Sequence, residues 1–307
     1  MKASAPGKII LFGEHAVVYN RPALAVPVNQ VHVDVEVSES DQPGIWIHAP
    51  NIDLLSDLAA LPPDHPIGSV ILKTIQHVGV SPLPNLSLTI ESSIPVAAGL
   101  GSGAAVSVAI IRALSTFFSH PLIDDQINKL AFETEKLHHG APSGIDNTVI
   151  AYNMPVYYIK GQPIETFKPG QPFTIVIGDT GAPAPTKDSV ADVRRLWLRD
   201  SNRFDSIFNE VAQISTMARH FIESGRPQLL GELMDHNHEL LRQMTVSSPE
   251  LDTLVYAARK AGALGAKLSG GGRGGNMIAL VNADSAKTVA EALITAGAIR
   301  TIVTEVK

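Results

Sequence analysis

Cysteine is absent from the 307-residue sequence. Its absence excludes a disulfide framework, a thiolate zinc site, an iron–sulfur cluster and a cysteine nucleophile. Aromatic residues are scarce at 5%, while 45% of the chain is hydrophobic and 18% is charged. This composition is typical of a globular protein, and at roughly 150 residues per domain the length indicates about two domains.

An excess of positive charge is also missing. Lys and Arg number 24 against 30 Asp and Glu, which gives a net charge of −6, and no run of basic residues occurs. We therefore expect neither a nucleic acid nor a membrane surface as partner. No apolar segment follows Lys2, so we expect no secretory signal and a cytoplasmic location.

One uncharged stretch, residues 92–111, is twenty residues long, about the length of a membrane span. Its first half is rich in Gly, Ser and Pro, which a membrane-spanning helix would not favour. The better interpretation is a glycine loop followed by a buried helix that starts near Ala104.

Strand and helix patterns alternate along the chain and predict a mixed α+β fold. Strict alternation over residues 31–37 predicts a half-buried strand, and residues 276–281 read as a buried one. Residues 189–224 carry one long helical pattern. A Gly- and Pro-rich segment near residues 160–172 separates two domains, which we place at 1–168 and 169–307.

The loop before Ala104 has glycines where a strand leads into a helix. Backbone N–H groups and the helix dipole favour an anion there, with phosphate the natural guest. Gly99, Gly101 and Ala104 also match a dinucleotide motif, but the acidic residue at the expected distance, Asp124, opens a helix instead of ending a strand. No Gly-Lys-Ser/Thr closes a P-loop either.

A second glycine cluster occupies residues 267–275, with Gly270, Gly272 and Gly275 at the spacing of a nucleotide motif. A strand follows it instead of a helix, so the dinucleotide context fails here too. The alternatives are a flexible linker and a tight loop that wraps a ligand. Because apolar segments flank it directly, the second is favoured.

Two carboxylates stand in unusual settings. Glu135 lies near the C-terminus of a predicted helix, where negative charge is disfavoured, which suggests metal binding; a solvated surface glutamate is the alternative. Asp146 follows a Pro-Ser-Gly turn, and its alternatives are an Asx-turn or a helix cap. His236 and His238 are two residues apart on a predicted helix and diverge, which disfavours a metal-dependent hydrolase.

Taken in order, these motifs resemble the GHMP kinase superfamily. The segments that carry the resemblance are residues 5–8, 12–18, 99–102, 139–147 and 267–275. The resemblance implies an N-terminal ribosomal-protein-S5-like domain and a C-terminal ferredoxin-like domain. Segments 13–18 and 142–147 are most similar to the members that transfer the γ-phosphoryl group of ATP to the 5-hydroxyl of mevalonate, in isoprenoid precursor synthesis.

Other acceptors stay open within the superfamily, namely phosphomevalonate, homoserine or a different hydroxyl of mevalonate. An inactive regulator on this fold would be expected to lose Lys8, Glu135 or Asp146, and all three are present. The expected partner is a small-molecule substrate, and the oligomeric state, homodimer included, stays open.

Residue roles come from the resemblance alone. It implies Asp146 as the catalytic aspartate with Lys8 as its partner, and Glu135 with Ser102 as ligands of Mg²⁺. The residues implied to bind ATP are Pro95, Ala97, Ala98, Gly99, Leu100, Gly101, Ser102, Gly103 and Ala104. Those implied to bind the acceptor are Glu14, His15, His139, Thr186, Gly270 and Gly271.

The chain also departs from the family pattern. Gly103 stands where the family commonly has a serine that ligates Mg²⁺, so Ser102, or the backbone with a water, would have to supply that oxygen. Arg273 and Asn276 replace a glycine and a small residue in the second cluster, and Arg273 either reaches a phosphate or faces solvent.

Overall fold

A computed structural model of the chain describes residues 1–95, 99–139, 143–184 and 186–307, without the side chains of 137–139. Two compact units emerge from its internal contacts. Unit 1 comprises Met1–Lys8, Val31–Val96 and Gly101–Asn153. Unit 2 comprises Ile9–Gln30 and Met154–Lys307, together with the short stretch that ends at Leu100. The predicted domain boundary at residues 168 and 169 remains a prediction.

Unit 1 contains a sheet built on the second half of a long strand. That half pairs antiparallel with β5, which pairs parallel with β3, and β3 pairs antiparallel with β4. The alternating valines of residues 31–37 are all buried, so the predicted half-buried strand is confirmed and extends further at both ends. The first five strands are β1 (Lys2–Phe12), β2 (Ala23–Glu39), β3 (Ile45–Ala49), β4 (Leu54–Asp57) and β5 (Leu86–Ser92).

Four helices of unit 1 pack on one another: α1 (Pro66–His77), α2 (Ser102–Phe117), α3 (Asp124–His139) and α4 (Ile145–Tyr152). The uncharged run is a glycine loop followed by the buried helix α2, as the sequence predicts. The helix starts at Ser102, two residues before Ala104, because Gly101 adopts the left-handed conformation (φ 76°) at its N-cap. Within the described ranges, no helix is long and apolar enough to cross a membrane.

Unit 2 is built on an antiparallel sheet of four strands in the order β11-β8-β10-β9. Its central strand β10 has the predicted bounds, and all six of its residues are buried. The first half of β2 pairs with β6, and β6 with β7. The remaining strands are β6 (Val156–Tyr158), β7 (Glu165–Thr166), β8 (Phe173–Asp179), β9 (Gly265–Ser269), β10 (Asn276–Val281) and β11 (Arg300–Val306).

The helices of unit 2 follow their sequence signals closely. Before α8, the side chain of Ser248 caps the first turn by accepting from the Leu251 N–H, and Pro249 is the first helical residue. The helices are α5 (Thr186–Arg199), α6 (Ser201–Glu223), α7 (Leu230–Gln243), α8 (Pro249–Lys260) and α9 (Ala286–Thr295). The α+β class predicted from the sequence is confirmed.

One helix prediction is wrong. The single pattern over residues 189–224 is two helices, because Asp200 leaves the helical conformation (φ −147°, ψ 73°). Its carboxylate accepts from the Arg203 N–H and so caps α6. Aspartate competes with the backbone for hydrogen bonds in this way, and the apolar periodicity on either side conceals the break.

Candidate active site

The catalytic pair implied by the resemblance meets in unit 1. Lys8 lies near the end of the part of β1 that belongs to this unit, and Asp146 is the second residue of α4. The Lys8 Nζ is 2.9 Å from the Asp146 Oδ1, and the lysine is buried while the carboxylate is about one third exposed. A buried ammonium therefore faces a carboxylate that still reaches solvent. Asp146 forms an ion pair, and the cap of α4 is Gly144 instead.

Glu135 lies in the last part of α3, where the charges of Asp146 and Lys8 both influence its pKa. Burial raises the pKa of Glu135 to about 7, the Asp146 carboxylate adds to the rise, and the Lys8 ammonium opposes it. Glu135 is half-buried, which disfavours the surface alternative considered for this residue. A carboxyl group in this setting is held close to its neutral form until a cation stabilises its charge.

The first glycine cluster surrounds the N-terminus of α2. Gly99 and Gly101 have φ values of 71° and 76°, and the helical Gly103 has no atom within 4 Å of the position of an added Cβ. A Cβ on Gly101 would lie 2.8 Å from the Lys8 Cγ. Gly101 thus keeps space for the Lys8 side chain and leaves the helix N-terminus uncrowded.

A cavity of about 220 Å³ opens beside this helix terminus, and Ser102 and Gly103 form part of its wall. Most of its lining is apolar and comes from α1, α2 and the segments around β5. The side chains that supply this apolar surface are Ile52, Pro66, Ile67, Val70, Ile94 and Val106. An apolar cavity beside a helix N-terminus suits a flat heterocyclic base.

Unit 2 gathers residues implied to bind the acceptor. The His15 Nε2 lies 3.1 Å from the carbonyl oxygen of Gly271, and His15 is buried. Burial lowers the pKa of His15 to about 4, so the ring is neutral and its Nε2–H donates to that carbonyl. The buried Nδ1 has no partner among the described residues, which leaves an acceptor for a ligand hydroxyl.

The loop between β9 and β10 touches the start of α5. A Cβ on Gly271 would lie 2.6 Å from the Thr186 Oγ1 and 3.0 Å from its Cα, so only glycine permits this approach. Thr186 is exposed, and Gly270 (φ 88°) faces open space. The linker alternative for this cluster is wrong, because its glycines are packed against neighbouring backbone.

Sequence reasoning missed one charged residue of this region, Lys267. It lies on β9 and is fully buried, and its ammonium donates to the Glu14 carboxylate and to the Leu268 carbonyl. Burial lowers the pKa of Lys267, while the Glu14 carboxylate opposes that shift. The only signal in the sequence was a lysine inside an otherwise apolar strand.

The histidines considered for a hydrolase do not converge. His238 is buried, accepts from the Leu268 N–H at Nδ1 and lies 3.2 Å from the Asp252 Oδ1 at Nε2. His236 is exposed and lies near Glu210. Among the residues that the structure describes, no group of three His, Asp or Glu side chains is placed to hold a metal ion. The predicted divergence of the two histidines is confirmed.

Some of the positions predicted to bind ATP or the acceptor lie outside the part of the chain that the structure describes. Ala97, Ala98 and the side chain of His139 belong to them. Pro95 is half-buried, and the side chains of Leu100 and Ala104 are packed in the core, which leaves their backbone for any contact with a nucleotide.

Family models match both parts of the chain. The model of the GHMP kinases N terminal domain matches residues 67–153, and that of the GHMP kinases C terminal domain matches residues 218–299. The chain belongs to the GHMP kinase family. The predicted membership is confirmed, and with it the expectation of an ATP-using kinase with the two-domain fold of that family.

Within the GHMP kinases, the similar relatives are mevalonate kinases. That of Thermococcus sibiricus is 38% identical over 297 residues, which cover 91% of this chain and 88% of the relative. The crystal structure of L. major mevalonate kinase in complex with R-mevalonate superimposes with a TM-score of 0.86 at 30% identity, covering 100% of this chain and 96% of that one. The Methanococcus jannaschii mevalonate kinase structure gives a TM-score of 0.85 at 26% identity, covering 99% and 97%.

Proposed function

We propose that this chain transfers the γ-phosphoryl group of ATP to the 5-hydroxyl of (R)-mevalonate, giving 5-phosphomevalonate and ADP. The observation that carries the proposal is the 2.9 Å ion pair between Lys8 and Asp146, in a chain whose similar relatives are mevalonate kinases. The presence of this pair disfavours the inactive regulator.

In the proposed reaction, the acceptor oxygen forms a bond to the γ-phosphorus while the bond from that phosphorus to the bridging oxygen of ADP breaks. The hydroxyl proton passes to the carboxylate of Asp146, which acts as general base. Lys8 stabilises the negative charge that develops on the attacking oxygen. Phosphoryl transfer needs such charge stabilisation and alignment more than it needs covalent chemistry.

ATP binding draws on the first glycine cluster. The N–H groups at the start of α2 and the helix dipole would hold the phosphates, and the apolar cavity beside Ser102 would take the adenine base. The positive φ angles of Gly99 and Gly101 support this assignment, since a loop conformation that favours glycine leaves the backbone N–H groups free of side chains.

The residues present also fit Mg²⁺. Glu135 offers a carboxylate whose ionised form is disfavoured by burial and by Asp146, and Ser102 offers a hydroxyl in the first turn of α2. Mg²⁺ prefers such hard oxygen ligands and keeps several waters, so few protein ligands suffice. When bound, the ion would neutralise charge on the phosphate oxygens.

The acceptor would meet residues of unit 2. His15 presents its unpartnered Nδ1, Thr186 an exposed hydroxyl, and Gly270 and Gly271 an uncrowded backbone. Glu14 is held by Lys267, so we assign it to the support of its neighbour His15. A homodimer remains a proposal for light scattering to test.

An ADP-release assay on mevalonate, phosphomevalonate, homoserine and galactose, each with and without Mg²⁺, tests the substrate. We expect Mg²⁺-dependent turnover of mevalonate alone, and NMR of the product places the phosphate on the 5-oxygen. Preferred turnover of another acceptor, or a phosphate on a different oxygen, contradicts the proposal.

Asp146→Asn tests the base. We expect kcat to fall by at least ~10²-fold with substrate binding largely retained, since loss of a general base acts on the chemical step. Asp125→Asn, an exposed aspartate paired with Lys129, is the matched control and should keep its activity. Lys8→Met should also lower kcat, and an effect on KM alone would reassign Lys8 to binding.

A further inference from the structure

Arg273 is the single residue other than glycine between Ser269 and Asn276, the two residues that pair at the base of the β9–β10 loop. Its φ is +61°, a left-handed conformation that L side chains rarely adopt. The family resemblance leads us to expect glycine here. A residue that accepts this backbone strain where glycine would avoid it needs a compensating contact.

The glycines on either side explain why the loop has so little freedom. A Cβ on Gly272 would lie 1.9 Å from the Val246 carbonyl oxygen, and a Cβ on Gly274 would lie 2.6 Å from the Pro183 carbonyl oxygen. These two positions are closed to any side chain, and position 273 between them carries one.

The side chain of Arg273 is half-buried and contacts another element. Its Nη1 lies 2.5 Å from the Asp192 Oδ2, its Nε lies 3.4 Å from the Thr245 carbonyl oxygen, and its backbone N–H donates to Val246. The hydrogen bond from Arg273 is the largest influence that lowers the pKa of Asp192. Asp192 also pairs with Arg195 on its own helix.

Asp192 lies on α5, six residues after Thr186, the first residue of that helix. Six residues of α-helix span about 9 Å and behave as a stiff rod, so a contact at Asp192 also fixes the first turn. That first turn is exposed over residues 186–188 and touches the loop at Gly271. The ion pair is thus a second attachment between the same helix and the same loop.

We propose that the ion pair between Arg273 and Asp192 is a latch that holds the glycine loop against α5 and so positions Thr186 and Gly271 for the acceptor substrate. Arg273 acts as a positioning residue, because it works through these two and touches no reacting atom. The functional half of this inference rests on the proposed acceptor site.

Arg273→Gly is the sharpest test, because it removes the latch and relieves the positive φ in one change. We expect KM for mevalonate to rise about three- to fivefold, the scale of one exposed ion pair, with KM for ATP unchanged. The melting temperature should stay level or rise, which separates a positioning role from a structural one. Lys129→Gln, which removes an exposed ion pair on α3, is the control and should change neither KM.

Exchanging the charges of Arg273 and Asp192 should restore the ion pair and, with it, KM for mevalonate. Arg273→Asp and Asp192→Arg should each raise KM for mevalonate, and the double variant should recover most of the loss, since Asp tolerates a positive φ well. Added salt should raise KM for mevalonate in the wild type more than in Arg273→Gly. A wild-type KM in Arg273→Gly, or no recovery in the double variant, overturns the latch.

Hydrogen exchange measured without substrate tests the latch independently of the proposed function. The latch predicts faster exchange of the amides of residues 187–190 in Arg273→Gly than in the wild type. If exchange is faster but the wild type does not phosphorylate mevalonate, the proposed function fails and the latch survives. If exchange is unchanged, the latch itself is wrong.

Discussion

The protonation of the Glu135 carboxyl group depends on its burial and on the charges of Asp146 and Lys8. Its pKa is raised from 4.5 to about 7, first by burial and then by Asp146. Between these two pH values the folded chain retains a proton that the unfolded chain has lost. The free energy of unfolding therefore falls as the pH rises from 4.5 to about 7. Above about pH 7 this destabilisation by Glu135 is complete.

Glu135→Gln should consequently raise stability near pH 8, by on the order of 2 kcal/mol, and much less near pH 5. Mg²⁺ should raise the melting temperature of the wild type near pH 8 and leave that of the variant unchanged, because the carboxylate ligand is gone. Glu133→Gln is the control, since Glu133 is exposed and paired with Lys136. If Mg²⁺ raised the melting temperature equally in all three proteins, the assignment of Glu135 as a metal ligand would be wrong.

Gly103 can be returned to the residue that the family commonly carries. The position is helical and has open space around it, so Gly103→Ser should increase stability by about 0.5 kcal/mol through helix propensity. The new hydroxyl should lower the Mg²⁺ concentration required for half-maximal activity. Gly99→Ser is the contrast, because its φ of 71° makes any side chain costly despite equal space. A loss of activity in Gly103→Ser would contradict the assignment of this turn to the metal.

At the scale of elements, an amide cluster joins α3 to α4. The Asn128 Oδ1 accepts from the Asn147 Nδ2 at 2.5 Å and from the Thr148 Oγ1 at 3.2 Å. Asn128 precedes Glu135 by seven residues, which places both on one face of α3, and Asn147 adjoins Asp146. We therefore expect the cluster to help to set the distance between the Glu135 and Asp146 carboxylates.

Asn128→Ala should cost about 1–3 kcal/mol of unfolding free energy, because it leaves the buried amide N–H of Asn147 without its side-chain acceptor, while the Thr148 hydroxyl keeps the Gly144 carbonyl. It should also lower kcat, as Glu135 and Asp146 lose their spacing. Asn128→Asp keeps the acceptor and should recover most of the stability. Denaturant titration with parallel kinetics measures both, and a change below about 0.5 kcal/mol in Asn128→Ala would show that the helices are spaced by apolar packing alone.

Elements with clean local signals were predictable from the sequence. The bounds of β10 match because a short apolar run is bounded by a glycine loop and an asparagine, and α8 matches because Ser248 and Pro249 mark its start. The break between α5 and α6 at Asp200 was not predictable, since a cap between two amphipathic segments leaves their periodicity almost intact.

At the scale of the whole molecule, the units are interleaved along the chain. Residues 9–30 belong to unit 2, whose other main part starts at Met154. The motif residues Lys8 and Asp146 were predictable because each lies in its own local pattern. The partnership of Glu14 with Lys267 was not, because 253 residues separate them and neither carries a sign of the other. The position of Arg273 was visible in the sequence, and its partner Asp192 was not.

A fragment of residues 169–307 should therefore fail to fold by itself, although the sequence predicts a domain there. It would bury the Lys267 charge without Glu14, and an unpaired buried charge costs about 3–5 kcal/mol. Circular dichroism and NMR of the fragment test this, and adding a fragment of residues 1–168 should restore structure. A well-dispersed NMR spectrum from 169–307 alone would contradict it. Lys267→Met in that fragment should recover part of the lost stability, because the residue then needs no counter-charge.

The interleaving also constrains how the protein is made. Ile9–Gln30 leave the ribosome well before Lys267 and the strands β9 to β11 do. An N-terminal segment that holds Glu14 must wait, unpaired and partly apolar, through the synthesis of more than two hundred further residues. Unit 2 consequently completes its folding only after Lys267 and the strands β9 to β11 have emerged, and the interval before that is when its N-terminal segment is most exposed to aggregation.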